Sequence, residues 1–179
     1  MESLAKKALD KNILIWDFDG TLVKLNINWR DLKKDLVRLS PDIKADMYLN
    51  DMFRYLVNHG KQEVAFQILS DYESHSKYSV NYDALDVIKE FKDKKMAIFS
   101  DNMHSTIVKI LRELDMADYF GIIVGKDDVT DFKPSADGLV HIKNYFKIDD
   151  INKCLFIGDS DKDAQASKNF GVDFYQINF

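Results

Sequence analysis

Cysteine is nearly absent from this chain, with Cys154 alone among 179 residues. No internal disulfide can form, and the apolar run Lys153-Cys154-Leu155-Phe156-Ile157 suits a small buried hydrophobe in a reducing compartment. Basic charge is not in excess either. The net charge is -5 and the pI about 5.3, so there is no broad cationic surface for a polyanion, and nucleic acid is not an expected partner. A small phosphorylated metabolite needs only local positive charge and stays open. A long apolar run is missing too: Met1 to Asn12 carries Lys6, Lys7 and Lys11 among small and polar residues, unlike a signal peptide or a membrane span. The expectation is a cytoplasmic protein with no membrane partner. Internal repeats and low-complexity tracts are also lacking. What is present, 46% hydrophobic and 31% charged residues, is the composition of a soluble globular domain. The length allows one compact domain with room for an insertion.

Apolar runs rich in β-branched and aromatic residues lie at Ile13 to Phe18, Met96 to Ser100, Ile122 to Gly125, Cys154 to Gly158 and Val172 to Ile177, as expected of strands buried on both faces. Helical periodicity fills Ala84 to Phe91, Ser105 to Leu114, Ala136 to Phe146 and Asp161 to Phe170. The alternation predicts an α/β fold on a doubly wound parallel sheet, with the strand Ile13 to Phe18 at its centre. From Asn28 to Lys77 only helical patterns follow one another: Trp29 to Leu39, Ile43 to Val57 and Lys61 to Tyr78. Ser40-Pro41-Asp42 breaks the first and Asn58-His59-Gly60 ends the second. Six of the seven glycines lie outside this insert, which points to two differently built pieces. The predicted division is a core of residues 1–24 and 79–179 and an all-helical insertion at 25–78.

The strongest chemical signal is Asp17-Phe18-Asp19-Gly20-Thr21-Leu22 at the end of the first strand. Residues two apart on a strand share a side, so both carboxylates can reach one spot at the C-terminal edge, where ligands of open α/β sheets bind. Gly20 permits the turn that follows. Ser100, with Asp101 and Asn102, offers a hydroxyl and backbone donors for phosphate ahead of a helix. Lys133 stands in Phe132-Lys133-Pro134, and Gly158-Asp159-Ser160-Asp161-Lys162-Asp163 opens another helix. Each stretch alone reads equally as a cap, a solvated lysine or a helix start favoured by its dipole; their shared placement after successive strands carries the argument. If Asp17, Asp19 and Asp159 converge, each like-charged pair near 4 Å costs on the order of 4 kcal/mol at an effective dielectric of ~20, more than one lysine can offset. An all-oxygen set without paired histidines or cysteines points to a hard cation beside phosphate, Mg2+.

Taken together, Asp17-Phe18-Asp19-Gly20-Thr21, Ser100, Lys133-Pro134 and Gly158-Asp159-Ser160 with Asp163 resemble the four ordered motifs of the haloacid-dehalogenase-like hydrolases. The run Ala164 to Val172 is similar to the subgroup of phosphoglycolate phosphatases and β-phosphoglucomutases, whose helical cap is inserted between the first two motifs. The resemblance implies a Rossmann-like core with the insertion as cap over its C-terminal edge, and a phosphatase working through an aspartyl-phosphate. It makes Asp17 the nucleophile and Asp19 the general acid and base. Asp17, Phe18, Asp19, Ser100, Asp101, Asn102 and Lys133 would surround the phosphoryl group, with Ser100 and Lys133 holding its oxygens. Asp17, the Asp19 carbonyl, Asp159 and Asp163 would serve Mg2+. An acid at position 19 also disfavours dehalogenation, since halide leaves without a proton. Two departures stand out: Leu22 to Asn26 lacks the acidic residue frequent in that subgroup, and Asp101 follows Ser100 where a small residue or asparagine is usual. The expectation is that the Asp101 side chain turns away. In the insertion, Trp29, Arg30, Tyr48, Arg54, His59 and His75 are candidate substrate contacts, though core or solvated roles fit them better. A mutase or phosphotransferase using the same Asp17, and a binding protein without turnover, remain alternatives; the sequence leaves the substrate and the oligomeric state open.

Overall fold

A computed structural model describes residues 2–179; Met1, where the stretch read for a signal sequence begins, lies outside them. Two compact units emerge, one running to Lys24 and resuming over Tyr78–Phe179, the other Leu25–Lys77.

The first unit opens with α1 (Glu2–Leu9), β1 (Ile13–Trp16) and the short β2 (Val23–Leu25), at whose end the chain enters the second unit. That unit holds α2 (Trp29–Val37), α3 (Leu49–Asn58) and α4 (Gln62–Ser74). The chain resumes the α/β unit at β3 (Tyr78–Val80), which pairs with β2. There follow α5 (Tyr82–Glu90), β4 (Lys95–Phe99), α6 (His104–Glu113) and β5 (Ile122–Val124), then α7 (Asp137–Phe146), β6 (Cys154–Gly158), α8 (Asp161–Phe170) and β7 (Asp173–Gln176).

Five strands form one parallel sheet in the order β5-β4-β1-β6-β7. From the central β1 the chain winds out through β4 and β5, then returns to the other side for β6 and β7, so the winding reverses between β1 and β6. Every residue of β1 and β6 is buried, as a strand covered on both faces requires. Ile15, Phe99, Phe156, Leu139, Ile142 and Ala166 make up much of one core layer. Gly138 lets α7 approach the sheet closely: a Cβ there would stand 2.2 Å from the Phe99 ring. In the helical unit α4 packs against both α2 and α3, burying Leu32, Leu36, Phe53, Leu56, Phe66 and Leu69.

Several elements depart from the sequence reading. The motif strand ends at Trp16, not Phe18. The helix expected from Ile43 begins at Leu49; Ile43 is buried, but in a turned segment after Pro41, and its apolar side chain imitates helical spacing. α1 anchors itself by Leu4 and Ala8, two buried positions too sparse to register as a periodic run. β2 and β3 have three residues each, below the length at which alternation is legible.

Candidate active site

Asp17 takes up the chain where β1 stops. Its N–H donates to the Ile157 carbonyl at 2.8 Å, continuing the ladder to β6, and its carboxylate is buried at the C-terminal edge of the sheet. The next turn needs Gly20, with φ +88°; a Cβ on it would meet Asp159 Oδ2 at 2.4 Å. Thr21, fully buried, donates its hydroxyl to Asp17 Oδ2 at 3.4 Å. The strand next to β1 delivers the opposing acids. β6 ends at Gly158, where a Cβ would press on the Asp163 side chain at 2.7 Å, and Ser160 caps α8 in a reciprocal capping box with Asp163. The carboxylates thus come from the segments that follow β1 and β6, on either side of the point where the winding reverses, the place at which open α/β sheets bind ligands.

Lys133 joins the two sides. It is 2% exposed, and its Nζ donates to Asp17 Oδ1 at 2.7 Å and to Asp163 Oδ1 at 2.6 Å. Its ammonium also lies 4.8 and 5.1 Å from the ring centres of Phe99 and Phe156. Oxygens of Asp17, Asp159 and Asp163 all fall within 4.8 Å of one another. Burial, followed by repulsion from Asp163, pushes the Asp17 carboxyl up to about 7 against the pull of Lys133 and a backbone hydrogen bond from Phe18. Burial and the Asp163 charge also raise Asp159. For Lys133 burial acts to lower its pKa, yet Asp163, Asp17 and Asp101 together override it and hold the ammonium above its ordinary value. Three carboxylates facing one ammonium leave negative charge to be met, and an all-oxygen donor set suits a hard cation.

Asp19, Phe18, Ser100 and Asp101 follow β1 and β4 at the same edge of the sheet. Asp19 lies just past the end of β1, bridged to Val23, and its carboxylate is not among the three that converge. Phe18 is fully buried, so its backbone is what faces Asp17. Ser100, at the end of β4, is buried and donates its hydroxyl to Asn102 Oδ1 at 2.9 Å. Asp101 accepts the Lys133 N–H at 3.3 Å and Lys162 Nζ at 3.0 Å. Sequence reasoning gave no role to Thr21, Lys126 or Lys162. Thr21 was part of the quoted motif, and its place four residues after Asp17 was the available signal; Lys126 carried none, as a lysine between a glycine and two aspartates reads as solvated. His104 donates through Nδ1–H to Asp128 Oδ2, 2.6 Å away. In the helical unit His59 stacks on Tyr55, Arg54 pairs with Asp51, and His75 lines a hollow of about 360 Å³ with Asp71, Tyr72 and Ser76.

Comparison with known proteins agrees with this geometry. A family model described as haloacid dehalogenase-like hydrolase matches residues 11–171. Pyrophosphatase PpaX of Listeria monocytogenes is 26% identical over 174 residues, covering 87% of this chain and 78% of its own. Phosphoglycolate phosphatase of Aquifex aeolicus is 24% identical over 177 residues, with 89% and 81% covered. Among solved structures, a haloacid dehalogenase-like family hydrolase from Streptococcus pneumoniae superposes with a TM-score of 0.68 at 20% identity, over 94% of this chain and 85% of that one. Another, from Bacteroides fragilis and assigned to the same hydrolases, gives 0.71 at 24%, over 93% and 87%. With the motif residues gathered at one sheet edge and the match spanning nearly the whole chain, this protein belongs to the haloacid dehalogenase-like hydrolases.

Proposed function

We propose that the chain is a Mg2+-dependent phosphatase that hydrolyses a small phosphomonoester through an aspartyl-phosphate on Asp17. One observation carries the reading: a buried lysine spans Asp17 and Asp163 where three carboxylates converge. In the first step an Asp17 oxygen forms a bond to phosphorus as the bond to the substrate's ester oxygen breaks, and Asp19 protonates that leaving oxygen. In the second, Asp19 takes a proton from water, whose oxygen attacks phosphorus and frees Asp17 with release of inorganic phosphate. Ser100 and Lys133 hold phosphoryl oxygens, joined by the backbone N–H groups of Asp101 and Asn102. Asp17, the Asp19 carbonyl, Asp159 and Asp163 are the residues that would hold Mg2+, which when bound neutralises phosphoryl charge. The helical segment 25–78 is read as a cap that selects the substrate. Relatives named for pyrophosphate and phosphoglycolate support the phosphoryl-transfer class.

The test is phosphate release from a panel of phosphorylated metabolites in H2(18)O, with Mg2+ and with chelator, for wild type and Asp17→Asn. Label in inorganic phosphate, lost with chelator and in the variant, is the expected result. Full activity in chelator or in Asp17→Asn would defeat the reading, and an isomerised phosphosugar without phosphate release would make the enzyme a mutase.

A further inference from the structure

Asp101 is the residue by which this chain departs from the usual second motif, and its surroundings are specific. Oδ1 accepts the backbone N–H of Lys133 at 3.3 Å and lies 4.0 Å from Lys126 Nζ, while Oδ2 accepts Lys162 Nζ at 3.0 Å. The carboxylate is four-fifths buried, and Lys126 is only 1% exposed. Lys126 is itself built into the same corner: its N–H donates to the Asn102 carbonyl at 2.8 Å, and its ammonium lies 4.1 Å from the centre of the Phe132 ring, on the residue before Lys133. One side chain thereby ties the end of β4, the turn at Lys126, the loop carrying Lys133 and the first turn of α8. Two ammoniums flank a single carboxylate, so its charge is balanced locally.

We propose that Asp101 is a positioning residue for Lys133, its carboxylate fixing the backbone from which that lysine reaches Asp17. The proposal rests on the hydrolytic reading of the site. A lysine Nζ can bridge Asp17 and Asp163 at 2.7 and 2.6 Å only if its Cα is held in place. A misplacement of about 1 Å can cost 10²-fold in rate. The local chain is also held by Phe132 N–H to Asp131 Oδ1 at 2.9 Å and Asn169 Nδ2 to the Pro134 carbonyl at 2.9 Å. Asparagine at 101 keeps an oxygen for the Lys133 N–H and loses the charge; alanine loses both.

The experiment compares the full-length wild type with Asp101→Asn and Asp101→Ala, using amide hydrogen exchange of the peptide around Lys133 and kinetics on p-nitrophenyl phosphate with Mg2+. Asp101→Ala is expected to speed exchange in that peptide by about tenfold, the equivalent of one lost hydrogen bond. It should also lower kcat by about 10- to 100-fold with KM changed far less, as befits a lysine displaced from the transition state. Asp101→Asn should keep near-native exchange and recover most of kcat. Should Asp101→Ala not fold, Asp101→Ser, too short to reach the Lys133 N–H, takes its place. Native exchange around Lys133 in the alanine or serine variant overturns the proposal whatever the activity, as does an asparagine variant that exchanges like alanine. Absence of phosphate release by wild type would instead refute the hydrolytic reading and leave the exchange comparison intact.

Discussion

Lys133→Met isolates the ammonium at the centre of the site. Methionine keeps an apolar stem against Phe99 and Phe156 and removes only the charge that faces Asp17 and Asp163. Taking away one partner of a buried ion pair costs about 3–5 kcal/mol. The cost must depend on pH, because Asp17 already sits at about 7 against its ordinary 3.8. At about 1.4 kcal/mol per pH unit its charged form is disfavoured by roughly 4 kcal/mol. Where the folded carboxyl holds a proton that the unfolded one has lost, stability falls as pH rises, from near the unfolded value up through the folded one. In wild type that fall ends near pH 7. Lys133 is among the influences that lower Asp17, so without it the folded value moves higher and the fall continues. The ammonium itself stays charged throughout, its pKa being raised, so its own contribution is fully present below its unfolded value. The deficit of Lys133→Met is therefore expected to be smaller near pH 5 and to widen toward pH 8. Urea unfolding followed by far-UV circular dichroism, in chelator at about pH 5, 6.5 and 8, reads this directly. A deficit below about 1 kcal/mol at pH 8, or one that does not change with pH, would refute the account of the buried charges.

Two further outcomes are expected. Asp19→Asn should slow phosphorylation of Asp17 by about 10²- to 10⁴-fold for alkyl phosphates and much less for aryl phosphates, whose leaving oxygen needs little protonation. Equal losses in single-turnover measurements would remove the acid role. Gly138→Ala should destabilise the fold by about 1–3 kcal/mol in urea melts, because its Cβ would stand 2.2 Å from the Phe99 ring; an unchanged midpoint would show that α7 can shift at little cost.

The sheet was legible because its strands are buried on both faces and read as unbroken apolar runs, as in Ile13 to Trp16 and Cys154 to Gly158. The motif residues were legible for a related reason: each follows such a run, and a parallel sheet brings all strand ends to one edge. What the sequence could not convey was the use of charge between loops. Asp101 read as an unwelcome negative charge near phosphate, and nothing local in the chain said that Lys162, Lys126 and the Lys133 backbone would receive it. These partners lie 25 to 61 positions further along. The turned segment around Ile43 failed differently, since a single buried side chain in a turn counts the same as one on a helix when only spacing is read.

The neck between β2 and β3 bears on how this chain could have come by its helical segment. The Asn26 N–H donates to the Lys77 carbonyl at 2.8 Å, and Asn81 is bonded to the backbone of both Thr21 and Leu22. The two ends of Leu25–Lys77 are thereby stapled together, and whatever hangs between them is, to the sheet, one closed loop. Closing a loop costs entropy that grows only logarithmically with its length, each doubling adding about 0.6 kcal/mol. The catalytic sheet is thus nearly indifferent to how much chain it carries at that point. A segment there can be lengthened, shortened or exchanged for another while Asp17 keeps its place, so the helical unit can diverge without refolding the sheet.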